Sequence, residues 1–209
     1  MRELIQKLEN ALLQRNPGLT ESLRTGLQPE KVKKALQRAS INGVIEPIVA
    51  LYSWRDGEEL HGYSDTFKIA FEAGFVPSTV IQVSEEIKKT FLAVHGIERQ
   101  TGVENYHFTY LKLAILHMRS YKSMAQNLPQ LSVLADRYFP FLWNGSDNWI
   151  AVDIELTGGN KVVIIQIGDE HPLREAYPSF EEFLKDAIRA NETNEPLACL
   201  RTPGRPITD

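Results

Sequence analysis

"YFPFLWNGSDNWIAVDI", residues 138 to 154, decides the fold. Tyr138, Phe139, Pro140, Phe141, Trp143 and Trp149 flank the polar turn Asn144-Gly145-Ser146-Asp147-Asn148, and the strand after it carries one carboxylate, Asp153. Asn, Asp, Ser and Gly make such turns because their side chains bond nearby backbone or tolerate left-handed backbone. Pro140 cannot donate to a ladder, so "YFPFLW" is expected to be an edge or irregular strand. "WIAVDI" reads as the next strand. Gly158-Gly159 with Asn160 is a strong hairpin signal, and "VVIIQI" returns after it. The unbroken apolar run from Val162 to Ile165 predicts a strand covered on both faces.

Downstream, Ser179-Phe-Glu-Glu182 is a capping box, in which Ser179 and Glu182 can satisfy each other's free backbone N–H groups. It opens a helix that turns Phe180, Phe183, Leu184, Ala187 and Ile188 inward. Residues 191–209 lose this periodicity and contain Pro196, Pro203 and Pro206, so a loosely ordered tail is expected.

Upstream, Thr109 is expected to cap a long helix to about residue 126, with Leu111, Ala114, Ile115, Met118 and Tyr121 on one face. "VENYHF" before it suits a short strand. Residues 2–14 place Leu4, Ile5, Leu8, Ala11 and Leu12 at helical spacing. Pro29 starts a second helix that buries Val32, Ala35, Leu36 and Ala39. A third runs from Pro47 through Ile48, Leu51 and Tyr52, and Asp56-Gly57 is expected to end it with Gly57 as a left-handed cap. Between about 60 and 105 the chain mixes glycine with aromatics and carries its own helix, capped by Ser84. The fold class is therefore α+β: N-terminal helices, a small mostly antiparallel sheet packed against helices, and a closing C-terminal helix. One domain spans 1–190, with a possible insertion at about 60–105.

A chain of 209 residues can bury about 70% of the surface its unfolded form exposes, so it needs no disulfide or metal for stability. The single cysteine, Cys199, cannot form an internal bridge and agrees with a reducing compartment. "MRELIQKLENALL" is no signal peptide, because Glu3, Lys7 and Glu9 interrupt it, and no apolar run approaches the roughly 18 residues of a membrane span. A cytoplasmic protein with no membrane partner is expected. The net charge of −4 opposes general nucleic-acid binding, which needs a basic surface. Lys31, Lys34 and Arg38 lie on the solvent side of an amphipathic helix and read as a solvated face.

The order of elements resembles that of the SUKH superfamily, which takes in the Smi/Knr cell-wall regulators of fungi and many bacterial immunity proteins. Four pieces carry the resemblance. "EPIVALYSWRDGEE" (46–59) is similar to the family's helix ending in Tyr-x-Trp-x-Asp-Gly, here Tyr52, Trp54, Asp56 and Gly57. "YHFTYLKLAILHMRSY" (106–121) is similar to its aromatic strand and following helix. Residues 138–154 resemble its Phe-Pro pair, polar turn and strand ending in Asp, and "GGNKVVIIQIGDEHPLREAYPSFEEFLKDAI" its Gly turn, strand and final helix. The resemblance covers about residues 1–190. It implies binding, commonly of a toxin by an immunity protein, often a nuclease or deaminase toxin, and it supplies no catalytic residues.

A search for chemistry finds Asp147, Asp153 and Glu155 as the best acidic cluster. On one strand Asp153 and Glu155 would lie about 7 Å apart on the same side, where they could hold Mg²⁺ or share acid/base work. The simpler reading has Asp147 serving its turn, Asp153 capping backbone at a strand end, and Glu155 solvated. His61, His95, His107, His117 and His171 form no metal-ligand spacing and read as surface or partly buried side chains. Cys199 has no paired histidine, and no Gly-x-Ser-x-Gly or phosphate-binding loop is present. No catalytic residue, metal or cofactor is assigned. Trp149 reads as core, and Trp143 as either core or an interface anchor.

The leading expectation is thus a non-enzymatic protein-binding domain, an immunity protein that neutralises a toxin domain. Its partner-binding residues would be Trp143, Asn144, Asp147, Asp153 and Glu155, and its acidic balance suits a basic partner. A regulatory scaffold with several partners is the second reading, with the Pro-containing tail to serve it. A metal-assisted hydrolase on Asp147, Asp153 and Glu155 is the third.

Overall fold

The computed structural model describes residues 1–15, 20, 23–58, 106–125, 134, 136–144, 148–167, 169, 171–193, 195–201 and 204–207. The stretch at about 60–105 and its helix capped by Ser84 lie outside these residues.

In chain order the elements are α1 (Arg2–Arg15), β1 (Leu23–Thr25), α2 (Pro29–Arg38), α3 (Glu46–Trp54), β2 (Arg55–Glu58), β3 (His107–Phe108), α4 (Leu111–Ala125), β4 (Tyr138–Trp143), β5 (Asn148–Asp153), β6 (Val162–Gln166), β7 (Leu173–Tyr177), α5 (Phe180–Thr193) and α6 (Ala198–Arg201). β3 to β7 form an antiparallel five-stranded meander in chain order, and β1 pairs with β2. The expected α+β class is the observed one.

Each central strand alternates between two cores, as period-2 side-chain geometry requires. Ile150, Val152, Val162 and Ile164 face one cluster with Leu8, Leu12, Leu36, Ile48, Phe180 and Leu184 from the helices. Trp149, Ala151, Val163 and Ile165 face the other, with Tyr121, Leu134 and Tyr138. The run from Val162 to Ile165 is buried on both faces, as its composition predicts.

Of the two alternatives for β4, an edge or an irregular strand, the structure shows the second: β4 lies between β3 and β5 and is irregular. Pro140 pairs with Ala151 and Leu142 with Ile150, which leaves Phe141 as an extra residue in a bulge. Phe139 and Phe141 face the first core, while the bulge turns Trp143 to the second, opposite Trp149. A regular strand would have placed Trp143 on the face of Phe139 and Phe141.

Three expectations are corrected. α3 ends at Trp54, and Gly57 is no helix cap. Gly57 sits in β2 at φ +76°, where a Cβ would strike the backbone of Thr109 and Tyr110. Thr109 does not cap α4; its N–H and its hydroxyl both donate to the Phe141 carbonyl, at 3.0 and 3.1 Å. The α5 capping box is half formed. Ser179 Oγ accepts the Glu182 N–H at 3.2 Å, but the Glu182 carboxylate pairs with Lys185 at 2.6 Å.

Where it is described, the segment expected to be a loose tail is attached to the fold. α5 runs on to Thr193, and α6 buries Cys199. Residues 204–207 then follow the β7 edge, with an antiparallel bridge between Arg174 and Pro206.

Candidate functional site

The corner where β4 begins and β5 ends gathers the acidic residues singled out by sequence. Asp153 is 1% exposed, and a buried carboxylate needs a charged or hydrogen-bonded partner. Arg137, the residue before β4, supplies one. Its Nε lies 3.2 Å from both carboxylate oxygens and its Nη2 donates to Oδ2 at 2.9 Å. Antiparallel register brings them together: Tyr138 is opposite Asp153, and the Ile154 N–H donates to the Arg137 carbonyl. Asp153 Oδ1 also accepts the Glu155 N–H at 3.0 Å, the strand-end cap expected from sequence.

Glu155 meets the same guanidinium, through Nη1 at 3.1 Å. Asp153 and Glu155 therefore converge, but on an arginine. The hydrogen bond to Asp153, foremost among the nearby influences, raises the Arg137 pKa above its ordinary value. The arrangement is a closed ion-pair triad, with the carboxylates' facing lone pairs used by a fixed cation. This geometry opposes the metal-assisted hydrolase reading. Among the described residues no three His, Cys, Asp or Glu side chains are grouped to hold a metal ion. Gly158 is needed beside the triad, because a Cβ there would strike the Asp153 carboxylate.

The other singled-out residues are placed as follows. Asn144 closes the β4–β5 turn: its N–H donates to the Asn148 carbonyl and its Oδ1 accepts the Asn148 N–H, each at 3.1 Å. Asp147 lies outside the described residues. Trp143 is 3% exposed and belongs to the core, so the interface-anchor alternative is lost. Trp149 is core as expected. The proposed partner-binding set is thus corrected on two members, Trp143 and Asp153, which offer a partner no surface.

His117 is also buried, against expectation. Its ring lies 5.2 Å from that of Trp143 and 5.5 Å from that of Trp149. Burial pushes its pKa down to about 3, so it is neutral at pH 7. His107 pairs in β3, where its Cα partner is Trp143.

The corner opens outward at Leu156, the residue after Glu155, which is 80% exposed. Glu155 is 48% exposed beside it. The Val44 N–H donates to the Ile154 carbonyl at 2.9 Å and so ties this hairpin to the loop after α2. A shallow groove lined by Lys33, Gln37, Ile41, Asn42, Gly43 and Ile45 borders that loop.

A second polar centre holds the Tyr-x-Trp-x-Asp-Gly stretch. The Tyr52 hydroxyl donates to the Thr109 carbonyl at 3.0 Å, and Trp54 stacks on Phe108. Asp56 Oδ1 accepts the Leu111 N–H at 2.8 Å, satisfying a free donor at the start of α4. Burial raises the Asp56 pKa against the opposing effects of this hydrogen bond and of Arg24. The motif is therefore a staple that fixes residues 108–111.

Neither Arg137 nor the role of Asp56 was singled out by sequence. The hairpin register, counted back from Trp143 opposite Trp149, points to Arg137. For Asp56 the sequence holds only the motif itself. No known family model matches the chain, and no curated protein matches it. Among the described residues no helix is long and apolar enough to cross a membrane.

Proposed function

We propose that the chain is a non-enzymatic protein-binding domain of the cytoplasm, an immunity protein that neutralises a toxin domain of the nuclease or deaminase type. The observation that carries this reading is the β5–β6 tip. A large apolar side chain, Leu156, stands in solvent beside an exposed carboxylate, Glu155, on a hairpin anchored by the Arg137 triad. An exposed apolar group beside a charge, on a rigid support, is what a protein partner can recognise. The four stretches that resemble the SUKH superfamily support the same reading, as does the net charge of −4, which suits a basic partner. Arg137 takes up Asp153 and Glu155, two of the three carboxylates a hydrolase would use here.

The test is a tagged pull-down from native cells, followed by co-expression. A single stoichiometric partner that is toxic alone and silenced by this chain supports the immunity reading. Leu156→Asp should then weaken the complex about tenfold or more, and Glu155→Gln should weaken it less, while the thermal midpoint shifts little in either. Several substoichiometric partners would replace the immunity reading with a scaffold. Full affinity in both variants would remove the tip from the interface.

A further inference from the structure

The C-terminal segment wraps the outer edge of the sheet. Its first part docks on one face: Cys199 is buried in the first core, and Leu197 and Leu200 pack against it. Residues 204–207 then run along β7, and Ile207 packs against the second core. Two ladder hydrogen bonds hold this run. The Glu175 N–H donates to the Arg205 carbonyl at 3.0 Å, and the Ile207 N–H donates to the Leu173 carbonyl at 2.9 Å. Pro206 has no N–H to offer, so the segment cannot pass the ladder outward at that position.

The polar anchoring at its start runs through two side chains of α5, Asp186 and Arg189. Asp186 accepts the Tyr177 hydroxyl at 2.6 Å, the Ala198 N–H at 2.7 Å and Arg189 Nε at 2.6 Å. Arg189 in turn donates to the Pro196 carbonyl at 3.0 Å and to Glu195 at 2.7 Å. The segment is latched at its start by Asp186 and Arg189, and among the described residues two backbone hydrogen bonds hold it along β7.

We infer that residues 204–207 are a displaceable strap that occupies the β7 edge in place of an extended strand from the protein partner, with the preceding segment 195–201 docked by Asp186 as its latch. An edge strand accepts added strands through its outward backbone groups, and the Leu173 carbonyl and Glu175 N–H are those groups here. The strap's own pattern defines the occupant. It needs a small residue where Gly204 lies, because a Cβ there would strike the Glu175 carbonyl. It needs a branched apolar residue where Ile207 meets the second core. For its occupant the inference rests on the protein-binding reading; the strap and latch do not depend on it.

The test uses the full chain. In amide hydrogen exchange, Glu175 and Ile207 should exchange about tenfold or more faster than the amides of β5 and β6, through an opening smaller than global unfolding. A labelled peptide with the sequence of residues 203–209 should bind Asp186→Ala about tenfold or more tighter than the unaltered chain, because its edge is vacated more often. Ile207→Asp frees the edge without touching Asp186 and should do the same, which keeps the test decisive if Asp186→Ala fails to fold. Exchange of Glu175 in step with β6 would overturn the strap. Equal peptide binding to all chains, or none to any, would overturn the displacement, and self-association of the released chain without peptide binding would overturn the choice of occupant. None of these readouts involves the toxin, so failure of the immunity reading would appear separately, in the pull-down.

Discussion

Asp153 and Asp56 are both buried carboxylates close to an aromatic run, and the fold satisfies them by different means. Asp153 faces a guanidinium in a two-pronged ion pair. Asp56 faces one backbone N–H at the start of α4, with Arg24 as a more distant positive charge. The first charge is compensated by a charge. The second is held largely by a dipole, and burial leaves its pKa raised. The Arg137 triad should therefore behave as a brittle support and the Asp56 staple as a tolerant one.

The largest effect is expected at Arg137. Arg137→Met leaves Asp153 buried without its cation, and breaking a buried pair from one side costs about 3–5 kcal/mol. The Arg137 side chain is 35% exposed, so about 3 kcal/mol, the lower end, is expected. Urea unfolding of the variant measures it. A loss below about 1 kcal/mol would mean that the pair behaves like a surface contact, and the contrast with Asp56 would collapse.

The staple comes next. Asp56→Ala removes the acceptor for Leu111 N–H and should cost about 1–3 kcal/mol. Asp56→Asn keeps an oxygen acceptor and removes the buried charge, so it should be close to neutral near pH 7. The pH dependence follows from the direction of the shift. An unfolded aspartate titrates near 3.9, and the folded one titrates higher. Between the two values the folded state binds more protons, so this group's contribution to stability is full below the unfolded value and is lost as pH rises through the folded one. Asp56→Asn should flatten that part of the stability–pH curve. An Asn variant as damaged as the Ala variant would show that Asp56 works as a charge after all.

Much of the architecture is legible in the sequence because it rests on local signals. Pro29 and Pro47 mark helix starts, Gly158-Gly159-Asn160 marks a hairpin, and the Val162–Ile165 run marks a strand between two cores. What escapes is what one inserted residue or one distant partner decides. The bulge at Phe141 moves Trp143 from one face to the other, and no period-2 reading of "YFPFLW" contains it. The candidate site is legible in part: Asp153 and Glu155 do come together, but Arg137 joins them through strand register, which spacing along one strand does not reveal. Gly57 reads as a cap from sequence because its left-handed backbone is a local property, whereas its use, close approach to Tyr110, comes from a stretch more than fifty residues away. The tail lacks helical periodicity because it is held by Asp186 and by the β7 edge, neither of which leaves a repeat in the segment itself.

The smallest stability effect should come from Glu155, and it sharpens the contrast within the triad itself. Glu155 and Asp153 share one guanidinium, yet Glu155 is 48% exposed and Asp153 is buried. Water screens the outer pair, so Glu155→Gln should cost less than about 1 kcal/mol, against about 3 for Arg137→Met. The backbone bond from the Glu155 N–H to Asp153 survives the change, which keeps the hairpin in place. If the tip is the partner surface, the same variant should slow association and weaken its salt dependence, because exposed charges at a rim act mainly on the encounter rate. Stopped-flow association with the captured partner, at low and moderate salt, measures both. Unchanged rates would leave the carboxylate to Arg137 alone and shift the weight of recognition to Leu156.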